Sequence, residues 1–105
     1  MDFLMIYVTC KDGYEAKKIS SHLLEKRLIA CANMFPVKSM YWWEDRIEKD
    51  EEVAIIMKTQ KGHKEHVLKE ILDLHSYDVP CVEFFEIEGG NPEYLGWIKK
   101  ETTQG

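Results

Sequence analysis

With 105 residues the chain fits one domain, 1–105, and a domain of this size buries roughly two-thirds of the surface its unfolded chain exposes, so it can fold without staples. Hydrophobic residues make up 45% and charged residues 31%, with no low-complexity tract and no solenoid repeat, a balance that argues against extended disorder. The net charge of −5 provides no field for a phosphate backbone, so nucleic acid is not an expected partner.

Residues 3–10 are apolar and rich in β-branched and aromatic types, as in a strand. They are far too short to span a bilayer, and no basic segment precedes them as in a secretory signal, so the chain reads as cytoplasmic with no membrane partner. Asp12 and Glu15 stand in capping-box spacing and open a helix to Leu28, with Ala16, Ile19, Leu23, Leu24 and Leu28 along one side. Ala30–Trp43 reads as a long second strand bent near Pro36, because proline is tolerated only at edges and bulges. Glu52–Thr59 is its partner, and the charged segment 44–51 joins the two in a hairpin that reaches beyond the sheet. A second helix over 61–75 carries Val67, Leu68, Ile71, Leu72 and His75, and Tyr77-Asp-Val-Pro80 ends it. Residues 81–88 form a fourth strand, Gly89-Gly90 a turn, and Asn91-Pro92 opens a short helix to about 102.

The order is βαββαβ with an appended helix, an α+β class whose usual solution is the ferredoxin-like sheet with both main helices on one face. Its strand order 4-1-3-2 sets the end of the first strand beside the start of the fourth. Strand residues alternate between faces, so Trp42 and Trp43 cannot both face the helices of their own domain. The first strand is apolar on both sides as well, with Leu4, Ile6, Val8 and Cys10 opposite Phe3, Met5, Tyr7 and Thr9. Since soluble monomers rarely expose apolar patches above a few hundred Å², the open face and hairpin are expected to be buried against further copies, through Met5, Tyr7, Tyr41, Trp42 and Trp43.

The segments "RLIACANMFPVKSMYWWEDRIEKDEEVAIIMKT", "LHSYDVPCVEFFEI" and "NPEYLGWI" together resemble the CutA divalent-cation tolerance family over nearly the whole chain. The resemblance rests on Cys31-Ala-Asn33, Tyr41 with Trp43, Lys58-Thr59, His75 with Tyr77 and Pro80, and Tyr94-Leu95 with Trp97. It implies a tight homotrimer built like the PII signalling proteins, with hairpins embracing neighbouring subunits, and a role in tolerance of copper and other divalent cations. It also places Lys58, Tyr77 and Trp43 around clefts between subunits. Ser76 stands where the family commonly has proline and Asp45 where it commonly has glycine; neither threatens the fold. Val8 stands where some members carry a cysteine, which removes one copper ligand they could use.

Cys10, Cys31 and Cys81 are odd in number and lack C-x-x-C, which argues for reduced thiols rather than a disulfide framework or zinc ribbon. The sheet order brings Cys10 near Cys81 and is expected to place Cys31 and His75 on that same edge. Thiolate and imidazole select soft or borderline cations, with copper at the affinity maximum, so Cys31 with His75 is the candidate metal pair and Cys10 and Cys81 are the weaker ligands. The alternative is that the cysteines are small buried hydrophobes and His75 hydrogen-bonds a helix end. His63 and His66, three apart, could chelate or simply face solvent. Lys58 interrupts the apolar run Val53–Met57 and needs a carboxylate or a bound anion; an internal ion pair, with Glu83 the candidate partner, and a ligand site both meet that need.

No residues for catalysis present themselves. An acylphosphatase would need an arginine-bearing phosphate loop after the first strand and an asparagine on the third, and neither is there. A fold-related RNA-binding module would need stacking aromatics on the third strand, which reads Val-Ala-Ile-Ile-Met-Lys-Thr. A ferredoxin-like copper chaperone would need C-x-x-C where Cys10 stands alone. The acidic 44–52 segment lacks the alternating ligands and glycine of a calcium loop and reads as a solvated tip.

Overall fold

Alternation along the first strand decides how the sheet is covered. In β1 (Phe3–Cys10) the side chains of Leu4, Ile6, Val8 and Cys10 are buried, while Phe3, Met5, Tyr7 and Thr9 on the other face are only half-covered. The computed structural model describes residues 2–103, and after β1 come α1 (Gly13–Glu25), β2 (Cys31–Trp43), β3 (Arg46–Gln60), α2 (Lys64–Leu74), β4 (Val82–Glu86) and α3 (Pro92–Glu101). The strands form one antiparallel sheet of order β2-β3-β1-β4, the ferredoxin-like arrangement expected. α1 and α2 close its buried face, where Ile6, Val8, Ile19, Leu23, Ile55, Met57, Val67 and Ile71 interlock. Each such side chain removed from water contributes about 1.5–3 kcal/mol. No helix among the described residues is long and apolar enough to cross a membrane.

α1 begins at Asp12, whose side chain accepts from Glu15 N at 2.9 Å, and it stops at Glu25 rather than Leu28. Arg27 turns the chain with φ 60°, Arg27 N donates to Leu24 O and Leu28 N to Leu23 O, and Leu28 enters the core from this turn instead of from the helix. The second helix is shorter than its periodicity suggests, because Lys61–His63 forms a 3-10 turn before α2 starts.

The largest departure is the hairpin. The acidic stretch expected as a connector is itself strand: β3 starts at Arg46, paired with Trp43, and the turn is reduced to Glu44 and Asp45 at φ 48° and 63°. A two-residue turn with both φ positive matches the twist of a hairpin, although asparagine and glycine adopt it more readily. Because β1 pairs with β3 only from Val53 to Gln60, residues 37–43 and 46–52 stand beyond the sheet as a two-stranded ribbon. Seven residues of strand span about 24 Å, and the molecule is accordingly long, 46 × 25 × 21 Å. Pro36 sits on the outer strand opposite Val53, where its missing N–H is not needed.

α3 lies across one end of the open face. Ile98 is fully buried, Gln60 Nε2 donates to Lys99 O at 3.2 Å, and Asn91 precedes Pro92 without a side-chain capping bond.

Candidate functional site

Three elements converge where β1 ends. Glu15, in the first turn of α1, accepts from Lys11 N at 3.1 Å through Oε1 and from Ser76 N at 2.9 Å through Oε2, so its carboxylate ties the β1–α1 turn to the segment after α2. His75 caps α2 with an extended backbone, and its Nδ1 accepts from Tyr77 N at 3.1 Å. A backbone N–H can only donate, so Nε2 carries the ring proton and donates to Thr9 O at 2.8 Å. The Tyr77 ring packs on His75 with centroids 4.8 Å apart. Cys10 Sγ, a Glu15 carboxylate oxygen and a His75 ring nitrogen all lie within 4.8 Å of one another. This sulfur, oxygen and nitrogen set suits a borderline cation.

Burial pushes the Cys10 thiol up to about 12, helped by the carboxylates of Glu15, Glu52 and Asp12, so without a cation it is a neutral thiol. Burial works to raise Glu15, but the hydrogen bonds from Ser76 and Lys11 and the nearby His75 outweigh it and hold the carboxyl below its ordinary value.

Beside this cluster, on the open-face side, a cleft of about 750 Å³ separates the base of the ribbon from the 76–81 segment. Its walls include Tyr41, Trp43, Asp50, Glu52, Tyr77 and Cys81. Tyr77 OH donates to Glu52 Oε2 at 2.8 Å, and Tyr41 OH donates to Asp50. Burial and then Glu52 raise the Tyr77 phenol, and the hydrogen bond to Asp50 raises Tyr41 to about 12, so both act as neutral donors. Asp50, Glu52 and Asp78 against Lys38 make the lining acidic. Cys81 Sγ lies 3.7 Å from Glu83 Oε1, with its thiol raised first by burial.

The expected metal pair does not form within one subunit. β2 and β1 are both antiparallel to β3 and run the same way, so Cys31 lies opposite Lys58, level with Met5, while His75 holds Thr9. Four residues of β1 separate those levels, about 13 Å along the strand. Cys31 Sγ instead shares a hydrogen bond of 3.5 Å with Tyr94 OH, and Tyr94 stacks on Trp97. Cys10 and Cys81 occupy the same end of the sheet as expected, but Cys10 is buried in the core and Cys81 lines the cleft.

Lys58 is likewise separated from its suggested companions. Trp43 and Tyr77 share the cleft, whereas Lys58 Nζ reaches Asn33 Oδ1 at 3.4 Å and stands 5.7 Å from the Tyr94 ring centroid. Glu83 is opposite Tyr7, two pairs removed from Met5–Lys58, and among the described residues no ion pair joins it to Lys58. His63 Nε2 engages Thr102 O at 2.6 Å, and His63 and His66 line a small pocket together with Lys26, Arg27, Leu28 and Thr102. Tyr41, Trp42 and Trp43 are all exposed in the single chain, Trp42 at 72%. The sequence signalled Glu15 only as a capping residue; its second bond, to Ser76, joins positions 61 apart and has no local signature.

A family model described as CutA1 divalent ion tolerance protein matches residues 4–101. A divalent-cation tolerance protein CutA of Archaeoglobus fulgidus is 45% identical over 93 residues, 89% of this chain and 91% of its own. A solved structure from that organism, named as periplasmic, superposes with a TM-score of 0.95 at 42% identity, covering 96% of this chain and 99% of that one. CutA1 of Pyrococcus horikoshii gives a TM-score of 0.93 at 39% identity over 96% and 99% of the two chains.

Proposed function

The chain belongs to the CutA1 divalent ion tolerance family, and from that premise we propose a non-catalytic homotrimer, PII-like in build, that takes up a divalent cation and signals its presence through the clefts between copies. The observation that carries the assembly is the uncovered ribbon: Met40 is 68% exposed, Trp42 72% and Ile47 55%, and Trp42 and Ile47 are cross-strand partners. A soluble chain that presents such a stripe has a partner for it, and a second copy offers the same stripe in return.

Copper, or another divalent ion, is the ligand we assign, taken at the end of the sheet where Cys10, Glu15 and His75 meet, with Cys81 in the wall of the neighbouring cleft. Cys31, at the other end, serves such an ion only if a neighbouring copy supplies the remaining donors. A small organic ligand in the cleft between Trp43 and Tyr77 is the second reading, favoured by the aromatic walls and by paired donors on Glu52 and Asp50. The three free thiols support a reducing, cytoplasmic setting.

Light scattering of the reduced protein, followed by calorimetric titration with Cu(II) and Zn(II), tests the reading. A mass of three chains and saturable uptake of an ion support it. A mass of one chain at micromolar concentration removes the assembly, and absence of heat with either ion removes the cation.

A further inference from the structure

We propose that Cys10, Glu15 and His75 are the ligands of a borderline divalent cation of the zinc kind, and that loading this site frees the backbone of Tyr77 and thereby alters the wall of the adjacent cleft. This rests on the divalent-cation reading and names its centre. The three ligands come from the end of β1, the first turn of α1 and the cap of α2, and their donor atoms already lie within 4.8 Å of one another. A tetrahedral zinc with bonds of about 2.0–2.3 Å places its ligand atoms roughly 3.3–3.7 Å apart, so closure requires movements on the order of 1 Å.

Charge is the second observation. Glu15 is 5% exposed, yet among the described residues no lysine or arginine forms an ion pair with it, and its carboxylate is held by the N–H groups of Lys11 and Ser76 and by the Ser76 side chain, all of them neutral donors. Buried carboxylates are normally paired or coordinate a metal. Around Cys10 stand Asp12 and Glu52 as well, so the surroundings of the thiol are negative and contain no lysine or arginine partner for Glu15. A divalent ion held by one thiolate and one carboxylate leaves the centre neutral.

The histidine is set up in the manner of a ligating one. Its Nε2–H is held by the Thr9 carbonyl, the kind of outer bond that fixes the tautomer of metal-bound histidines and leaves Nδ1 with the lone pair. That lone pair now accepts from Tyr77 N. A cation on Nδ1 takes it over, the Cys10 thiol releases its proton to solvent as the sulfur–metal bond forms, and no electron changes hands. Tyr77 N–H then loses its acceptor, two bonds from a side chain whose hydroxyl is fixed to Glu52 in the cleft wall. His75, the least buried of the three ligands, gives the side from which the ion and a water as fourth ligand enter.

Cobalt(II), added without oxygen to the reduced full-length protein, is the probe. Thiolate-to-cobalt absorption in the near ultraviolet, displaced by Zn(II), is expected for the wild type and for the Cys31→Ser/Cys81→Ser double variant. Cys10→Ser is expected to lose that band, and Glu15→Gln and His75→Gln to weaken cobalt binding at least tenfold while keeping the wild-type circular dichroism. Hydrogen exchange at the Tyr77 amide should quicken on loading with zinc. The band persisting in Cys10→Ser, or vanishing in the Cys31/Cys81 variant, overturns the ligand set, and unchanged Tyr77 exchange overturns the coupling. Stoichiometric uptake by Cys10→Ser would reject this centre and leave the broader cation reading standing, whereas a wild type that binds neither cobalt nor zinc rejects both.

Discussion

Replacing Trp42 with alanine separates what the ring does within one chain from what it does between chains. Within the chain it does little, because the ring is 72% exposed on the part of the ribbon that stands beyond the sheet, and truncation of such a side chain changes the stability of an isolated subunit by within about 0.5 kcal/mol. Between chains the sum differs. A tryptophan buries up to about 250 Å², so up to roughly 180 Å² remains to be covered, and at about 25 cal/mol per Å² this sets an upper bound of about 4.5 kcal/mol for each ring that a neighbour fully encloses. That bound corresponds to at most about two-thousandfold in association for each ring removed. Sedimentation velocity over a dilution series should therefore show the variant dissociating at concentrations where the wild type remains assembled, with the far-ultraviolet circular dichroism of both unchanged. Identical mass-against-concentration curves would refute the reasoning, and so would a variant that unfolds as a lone chain, since the ring would then be supporting its own subunit.

Glu70, held by Lys26 at 2.6 Å and His22 at 3.0 Å, has its carboxyl lowered to about 2 first by Lys26 and then by His22. A depressed folded-state value stabilises above the unfolded value near 4.5 and ceases to do so as pH falls toward 2, so Glu70→Gln should melt below wild type at pH 7 and converge with it in acid; a gap independent of pH would contradict the pairing. Ile98→Ala removes the fully buried anchor of α3 and should cost about 2–4 kcal/mol in urea unfolding, with Trp97 fluorescence reporting the loosened helix. Glu44→Asn with Asp45→Gly supplies residues suited to the positive φ angles of the turn and should raise stability by about 0.5–1 kcal/mol in a thermal melt of the assembled protein. Tyr77→Phe strands the Glu52 carboxylate and should lower the stability measured by urea unfolding by about 1–2 kcal/mol, and an unchanged midpoint would show that the bond to Glu52 forms without net effect.

Local patterning carried most of the architecture. The two apolar faces of 3–10, the 3–4 spacing after Asp12 and the proline at the start of α3 each reflect constraints satisfied within a few residues, and those elements formed where expected, though α1 ends at Glu25 short of the expected Leu28. The projecting hairpin was expected, but the strand character of its return arm from Arg46 escaped, because a pair of exposed strands needs no apolar alternation: Lys38 opposite Glu51 serves as well as a core pair, and a charge-rich stretch resembles a loop. The same reasoning explains the misplaced cysteine. Sequence established which residues could ligate, but which of them meet depends on strand direction, and β2 running with β1 carries Cys31 away from His75.

Sequence by itself therefore determined the element types, the buried face and the surplus of apolar surface, since side-chain period and hydrophobicity act locally and need no partner to be specified. Only the tertiary structure decided that Glu15 spans from the β1–α1 turn to Ser76, that His75 lends one nitrogen to Thr9 and the other to Tyr77, and that Lys58 stands apart from the cleft of Trp43 and Tyr77. Those contacts bridge up to 66 positions of chain, and they exist because the sheet closes in one order and one set of directions, a choice made by the packing of the whole core rather than by any stretch of it.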